Sequence, residues 1–109
     1  MTSQTKSQVW VHLVLWQLNG ANAEIKSTQA QEVVSAFQGL VGQVPGLLSL
    51  TVGANELKSD GAWDLGLSMK FESLQALEAY NQMPEHLAIK ALMGPMRQAR
   101  AMVDFRLSD

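Results

Sequence analysis

A run of apolar residues near the N-terminus restricts the possible folds more than any other feature of this sequence. From Val9 to Leu18 both alternating sets of side chains are apolar, and the polar residues within the run are His12 and Gln17. Its valine and tryptophan content favours a β-strand. A strand that is apolar on both sides is typical of the interior of a sheet that is covered on both faces. We therefore predict that this run is a central strand.

The composition of the 109-residue chain excludes several classes of function. Eight basic and ten acidic side chains give a net charge of −2, so no basic field attracts nucleic acid or an anionic membrane. Without cysteine there is no disulfide, thiol nucleophile or cysteine-ligated metal, and two histidines cannot form a three-histidine metal site. The apolar run is too short for a transmembrane helix, and we interpret it as structure rather than as a signal peptide. We expect one cytoplasmic domain over residues 1–109, with no metal, cofactor, nucleic acid or membrane partner.

The remaining sequence alternates between helical and extended apolar spacing. Pro45-Gly46 and Gly94-Pro95 are expected to end helices, and Ser73 is a plausible helix N-cap. The order β-α-β-β-α-β predicts an α+β, ferredoxin-like fold with a four-stranded antiparallel sheet. The predicted elements are strands at Val9–Leu18, Leu47–Gly53, Trp63–Phe71 and Ala101–Leu107, a helix at Glu24–Val44, and a helical region that begins after Ser73 and is interrupted at Pro84.

In such a fold both helices cover one face of the sheet and leave the other bare. An exposed apolar patch is typical of an interface, and a charged fraction of only 17% agrees with a covered surface. We predict that two copies pack sheet to sheet into a homodimer. The bare face is expected to carry Val9, Val11, Leu13 and Leu15, with Asp64 and Asp104 at outward positions that pair with Lys70 or Arg106, and Arg97 and Arg100 are expected to form a solvated face.

Several segments resemble the stress-responsive A/B barrel (Dabb) family. The resemblance extends from Trp10 to Phe105, and it implies a dimeric α+β barrel formed by two ferredoxin-like subunits. It also implies diverse biochemistry, since many members have no known activity and one plant branch closes polyketide chains by an intramolecular aldol reaction. The matching segments are His12-Leu13-Val14-Leu15, Val44-Pro45-Gly46, Trp63-Asp64-Leu65 leading to Phe71, Tyr80 to His86, and Val103-Asp104-Phe105.

The same resemblance suggests candidate catalytic residues. The plant cyclases use a histidine on the first strand, a tyrosine and a histidine around the second helix, and a histidine on the third strand. The first three correspond to His12, Tyr80 and His86, whereas the fourth corresponds to Leu65, which cannot exchange a proton. In an aldol closure His86 would be the base, Tyr80 a hydrogen-bond donor, and His12 a second donor or orienting group. The break at Pro84 would let Tyr80 and His86 face the same interior, which an unbroken helix would prevent.

We predict that the protein binds a small apolar or aromatic metabolite in an internal pocket, and we assign no activity to the protein. The alternative is an enzyme of the polyketide cyclase or cofactor-free monooxygenase type that uses His86, Tyr80 and His12. Haem binding near His86 and a purely structural oligomer also remain open. The candidate ligand-binding residues are large and apolar, and such residues at this spacing also form ordinary cores: Trp10, Trp16, Phe37, Leu65, Leu67 and Met69.

Overall fold

Four strands form one antiparallel sheet with helices on one of its faces. The computed structural model describes residues 8–107, so both ends of the predicted domain at residues 1–109 lie outside the described residues. The strand order is β2-β3-β1-β4, which confirms the predicted α+β ferredoxin-like fold. The elements are β1 (Trp10–Leu18), α1 (Ala23–Gln38), β2 (Leu47–Ala54), β3 (Leu65–Phe71), α2 (Leu74–Gln82), α3 (Pro84–Met93) and β4 (Arg97–Arg106).

Strand β1 is interior, as its apolar character predicts. It pairs with β3 from Trp10↔Phe71 to Trp16↔Leu65, and with β4 on its other edge. The side chains of β1 and β3 that face the helices form the core: Val14, Trp16, Leu18, Leu65, Leu67, Met69 and Phe71 are all at most 4% exposed. Because alternate residues project to opposite faces, the same two strands also present a second face without a helix.

Helix α1 is shorter than predicted. It ends at Gln38 and not at the predicted Val44. The Gly39 amide caps this end by donating to helix carbonyls. Successive turns follow, and Gly42 has a φ of +82°, which regular helix does not permit. Leu40 and Val44 are nevertheless buried at 4% and 7% exposure. The apolar spacing continued past the helix because these turns also pack on the core.

The strands also differ in detail from the prediction, and β3 begins at Leu65 rather than at Trp63. In β2 a register shift between Leu47 and Ser49 places a bulge at Leu48, whose side chain is 55% exposed. Strand β4 begins at Arg97, four residues before the predicted Ala101, and it pairs along β1 from there. Because the first residues of this edge strand are mostly polar, they lack the apolar alternation by which a strand is predicted.

The face of the sheet opposite the helices is open and partly apolar. Leu15, Val103 and Phe105 lie on it at 47%, 51% and 39% exposure, while Val11 is only 4% exposed. This face agrees with the predicted bare surface in character, although β4 supplies as much of it as β1 does. Among the helices that the structure describes, none has the length and hydropathy that crossing a membrane requires.

Candidate functional site

A cavity of about 430 Å³ opens on the helix side of the sheet. Helices α1 and α2 pack mainly over β1, β2 and β3, and the cavity lies between α3 and edge strand β4. Its apolar wall consists of Val14, Trp16, Phe37, Leu67, Ile89, Met93 and Met102. Its polar lining consists of His12, Tyr80, Asn81, Gln82, His86, Lys90, Arg97 and Arg100. The cavity therefore has an apolar wall and a polar side rich in basic groups.

His12 is hydrogen-bonded to Asp104 beside this cavity. The β1–β4 register places the two residues directly opposite each other, so both side chains project to the helix side. His12 Nδ1 donates to Asp104 Oδ1 at 2.6 Å, and the histidine is only 3% exposed. In the neutral imidazole this leaves Nε2 as a hydrogen-bond acceptor. Asp104 was expected on the outward face, and that expectation is wrong because the register of β4 determines its side.

Tyr80 carries a buried hydroxyl without a hydrogen-bond partner among the described residues. Its ring is 1% exposed and packs 5.5 Å, centroid to centroid, from Phe71. Burial raises the pKa of this phenol well above its usual value, although the positive charge of Arg100 opposes the shift. The hydroxyl is therefore protonated at neutral pH and free to form a hydrogen bond.

His86 lies against the Tyr80 ring, at 4.4 Å between centroids. Pro84 occupies the first turn of α3, and the break between α2 and α3 brings the two rings together, as the sequence predicts. His86 Nδ1 donates to the Asn81 carbonyl at 3.2 Å, which leaves Nε2 of the neutral ring as an acceptor. Burial lowers the pKa of His86, and the charges of Lys90, His12 and Arg100 lower it further, against the opposing effect of the Asn81 hydrogen bond. The ring is therefore predominantly neutral at pH 7.

The predicted ligand-binding residues divide into two groups. Trp16, Phe37 and Leu67 line the cavity, whereas Trp10, Leu65 and Met69 lie outside its lining. Leu65 and Met69 are buried at 2% and 0% exposure on β3, where the helices cover the sheet. Trp10 lies at the other end of β1, with the Arg106 guanidinium 5.9 Å from its ring centroid. The five strand residues share the helix face of the sheet and Phe37 lies on α1, but the cavity follows only the part of that face near β4.

Sequence reasoning missed the basic residues of the cavity. Lys90, Arg97 and Arg100 line it, although both arginines are solvent-exposed as expected. The available signal was the alternation of Arg100, Met102 and Asp104, which puts these side chains on one face of β4. Asp64 was also misplaced: it precedes β3, accepts from the Leu18 amide at 2.7 Å and lies 3.6 Å from Lys26 Nζ.

Within residues 8–107, no group of three or more His, Asp or Glu side chains is arranged to hold a metal ion. The geometry defines a ferredoxin-like α+β protein whose cavity combines a His–Asp pair, a second histidine and an unpartnered tyrosine hydroxyl. The chain belongs to the stress responsive A/B barrel domain (Dabb) family, whose model matches residues 11–107.

Solved structures share this fold at low sequence identity. A dimeric protein of unknown function and ferredoxin-like fold from Bacteroides fragilis is 24% identical, with a TM-score of 0.83, over 94% of this chain and 100% of that chain. A dimeric ferredoxin-like protein of unknown function from Thermobifida fusca is also 24% identical, with a TM-score of 0.82 and 97% of each chain covered. Both similarities concern the fold.

Enzymes also share the fold. The hydroxynitrile lyase of Passiflora edulis is 12% identical, with a TM-score of 0.77, over 95% of this chain and 97% of that chain. An antibiotic biosynthesis monooxygenase-like protein from Nitrosomonas europaea superposes with a TM-score of 0.71. No curated protein matches the sequence.

Proposed function

We propose that this protein is a homodimer that binds a small apolar or aromatic metabolite in the cavity beside β4. The observation that carries the proposal is the Tyr80 hydroxyl, which is buried on a cavity-lining residue and has no partner among the described residues. A buried hydroxyl without a hydrogen bond costs about 1–3 kcal/mol. A ligand oxygen or nitrogen at the inner end of the cavity would supply that hydrogen bond.

The shape and chemistry of the cavity support a ligand of this kind. Small-molecule sites are typically concave and mainly apolar, with a few polar groups that fix the ligand's orientation. Here Trp16, Phe37 and Leu67 provide apolar surface, and Tyr80 and His86 provide hydrogen-bonding groups on adjacent rings. At about 430 Å³ the cavity has room for a molecule of one or two aromatic rings.

The homodimer is supported by the open sheet face and by the fold's relatives. Leu15, Val103 and Phe105 expose apolar surface on that face, which a second copy would cover. Two solved proteins with TM-scores above 0.8 are described as dimeric.

Calorimetric titration with 2-naphthol tests the ligand proposal. We expect wild-type protein to bind 2-naphthol, and Tyr80→Phe to bind it about three- to tenfold more weakly, because one hydrogen bond is lost. The apolar isostere 2-methylnaphthalene should bind both proteins equally. Trp10→Phe is the matched control, since Trp10 lies outside the cavity lining. Failure of wild-type protein to bind either compound would refute the proposal.

A second candidate function is proton-transfer catalysis, favoured by the His12–Asp104 pair. A histidine oriented by a carboxylate through Nδ1 is a common general base, and the lowered pKa of His86 keeps a second basic nitrogen neutral. Either group could remove a proton next to a carbonyl while the Tyr80 hydroxyl stabilises the enolate, as aldol closure requires. An enzyme of the cyclase or cofactor-free monooxygenase type would fit these groups.

Proton abstraction can be followed without the natural substrate. In deuterated buffer we expect the protein to accelerate deuterium exchange at the methylene group of 1-(2-naphthyl)butane-1,3-dione, measured by NMR. His86→Gln should slow the exchange by roughly 10²-fold or more if His86 is the base, and Asp104→Asn should do so if His12 is the base, since this is the usual scale of general-base catalysis. Arg106→Gln should leave it unchanged. Exchange at the uncatalysed rate with wild-type protein would rule out this second function and leave the binding function intact.

A further inference from the structure

Three of the eight Lys and Arg side chains line the cavity. Lys90, Arg97 and Arg100 all line it, and no aspartate or glutamate belongs to the lining. The whole chain has a net charge of −2, whereas the lining has three cationic side chains, and the nearby Asp104 carboxylate is hydrogen-bonded to His12.

These cations have no carboxylate partner in the described part of the chain. The carboxylates of Asp104 and Asp64 contact His12 and Lys26, and no ion pair among the described residues involves Lys90, Arg97 or Arg100. Arg100 donates to the Met102 sulfur at 3.3 Å, which is a weak acceptor. Arg106, on the same strand, instead donates to the Gln8 side-chain oxygen at 2.9 Å and lies over the Trp10 ring. The donors of Arg97 and Arg100 are therefore available to a ligand.

The charge of Arg100 acts on the inner groups of the cavity. It opposes the rise in the pKa of Tyr80 that burial causes and adds to the lowering of the pKa of His86 that burial causes, so its positive charge acts on the hydroxyl and the imidazole that a bound molecule would contact. A negative group near Arg100 would gain from the same field. The apolar wall at Trp16 and Phe37 meanwhile suits the body of such a molecule.

We propose that the ligand is an aromatic or apolar carboxylate, whose carboxylate group binds Arg97 and Arg100 while its apolar body packs against Trp16 and Phe37. The planar guanidinium group matches a carboxylate through paired charge-assisted hydrogen bonds, and Lys90 adds positive charge at the same rim. This inference rests on the proposed binding function and specifies its ligand class.

Titrations with matched acids and amides test the inference. We expect 2-naphthoate and cinnamate to bind about tenfold or more tightly than 2-naphthamide and cinnamamide at low ionic strength. Raising the salt from about 50 to about 300 mM should weaken binding of the acids and leave that of the amides unchanged. The Arg97→Gln/Arg100→Gln double variant should bind acid and amide with nearly equal affinity. Its dissociation constant for the amide should equal that of wild type.

Arg106→Gln is the matched control, because it removes an arginine from the same strand outside the cavity lining. It should leave the acid-to-amide ratio unchanged. Equal binding of acid and amide by wild-type protein would overturn the inference, as would a ratio that survives the double variant. In either case, if wild-type protein still binds 2-naphthol, the proposed binding function stands and only the carboxylate inference is wrong. If acids, amides and 2-naphthol all fail to bind, both proposals are wrong.

Discussion

At the scale of single residues, Tyr80 and His86 combine burial with unused hydrogen-bonding capacity. The Tyr80 ring packs against Phe71 and His86, yet its hydroxyl has no partner among the described residues. Buried polar groups in folded proteins are usually satisfied, so an exception at a cavity wall points to a role in ligand contact. The sequence identifies both as candidate site residues. The missing hydrogen bond of the Tyr80 hydroxyl, however, depends on which atoms surround it in the folded state.

Replacing Tyr80 by Phe should therefore not destabilise the ligand-free protein. Removing an unsatisfied hydroxyl removes its desolvation cost, so we expect the free energy of unfolding to stay constant or rise by up to about 1 kcal/mol. Urea denaturation measures it. Tyr80→Leu, which also removes the aromatic contacts, should lower it by about 2 kcal/mol. A loss above about 1 kcal/mol in Tyr80→Phe would mean that the hydroxyl is bonded in the free protein.

Protonation of His86 should reduce stability at acidic pH. Its pKa in the folded state lies below the ordinary value of 6.5, mainly because of burial, so the unfolded chain takes up the proton first. The contribution of neutral His86 to the free energy of unfolding is complete above pH 6.5. It is lost as the pH falls through the lower pKa that His86 has in the folded state. We expect wild type to lose stability relative to His86→Gln in that window, measured by urea denaturation at several pH values. Parallel curves for the two proteins would contradict the assignment.

At the scale of elements, the turn before β2 determines how that strand meets helix α2. Gly46 has a φ of +80°, and its carbonyl accepts a hydrogen bond from the Glu72 amide at 2.9 Å. A Cβ atom at this position would lie 2.5 Å from the Cβ of Ala76 on α2. The Ser73 side chain caps α2 through the Ala76 amide at 3.0 Å, as the sequence predicts. Pro-Gly predicts a turn, but the close approach of α2 depends on the tertiary packing.

Two glycine variants separate the cost of backbone strain from the cost of a steric clash with α2. Gly42 has a φ of +82° and open space around a built Cβ atom, so Gly42→Ala should cost only the backbone strain, about 1 kcal/mol. Gly46→Ala adds a steric clash to a similar strain, and we expect it to lower the free energy of unfolding by about 2 kcal/mol more. Thermal and urea denaturation of both variants measure the difference. Equal losses would show that α2 moves away freely.

At the scale of the whole molecule, the open face of the sheet is the surface for the proposed dimer. Leu13 pairs with Val103 and Val11 with Phe105 across β1 and β4, so a continuous apolar strip crosses the two strands. The helices within residues 8–107 pack on the opposite face, where Val14 and Leu67 join the core. A charge in the centre of this strip would be buried against the second copy, which is strongly unfavourable.

We expect Val103→Glu to convert the proposed dimer to a monomer with an unchanged circular dichroism spectrum. Sedimentation velocity measures the change in mass. Leu57→Glu is the control, because Leu57 is 77% exposed in the loop between β2 and β3, and it should remain dimeric. A Val103→Glu dimer as stable as that of wild type would place the interface on another surface.

The sequence by itself determined the element order, the interior position of β1, the core alternation of β3 and the break at Pro84. These features depend on neighbouring residues, whose periodicity and turn chemistry are local. Only the tertiary structure decided that Asp104 faces His12, that Arg97 and Arg100 line the cavity, and that Leu65 and Met69 lie outside it. The register of β4 fixes which side each of its residues takes, and the placement of the helices determines where the sheet stays uncovered. Both are set by contacts between residues far apart in the chain, which local patterns do not encode.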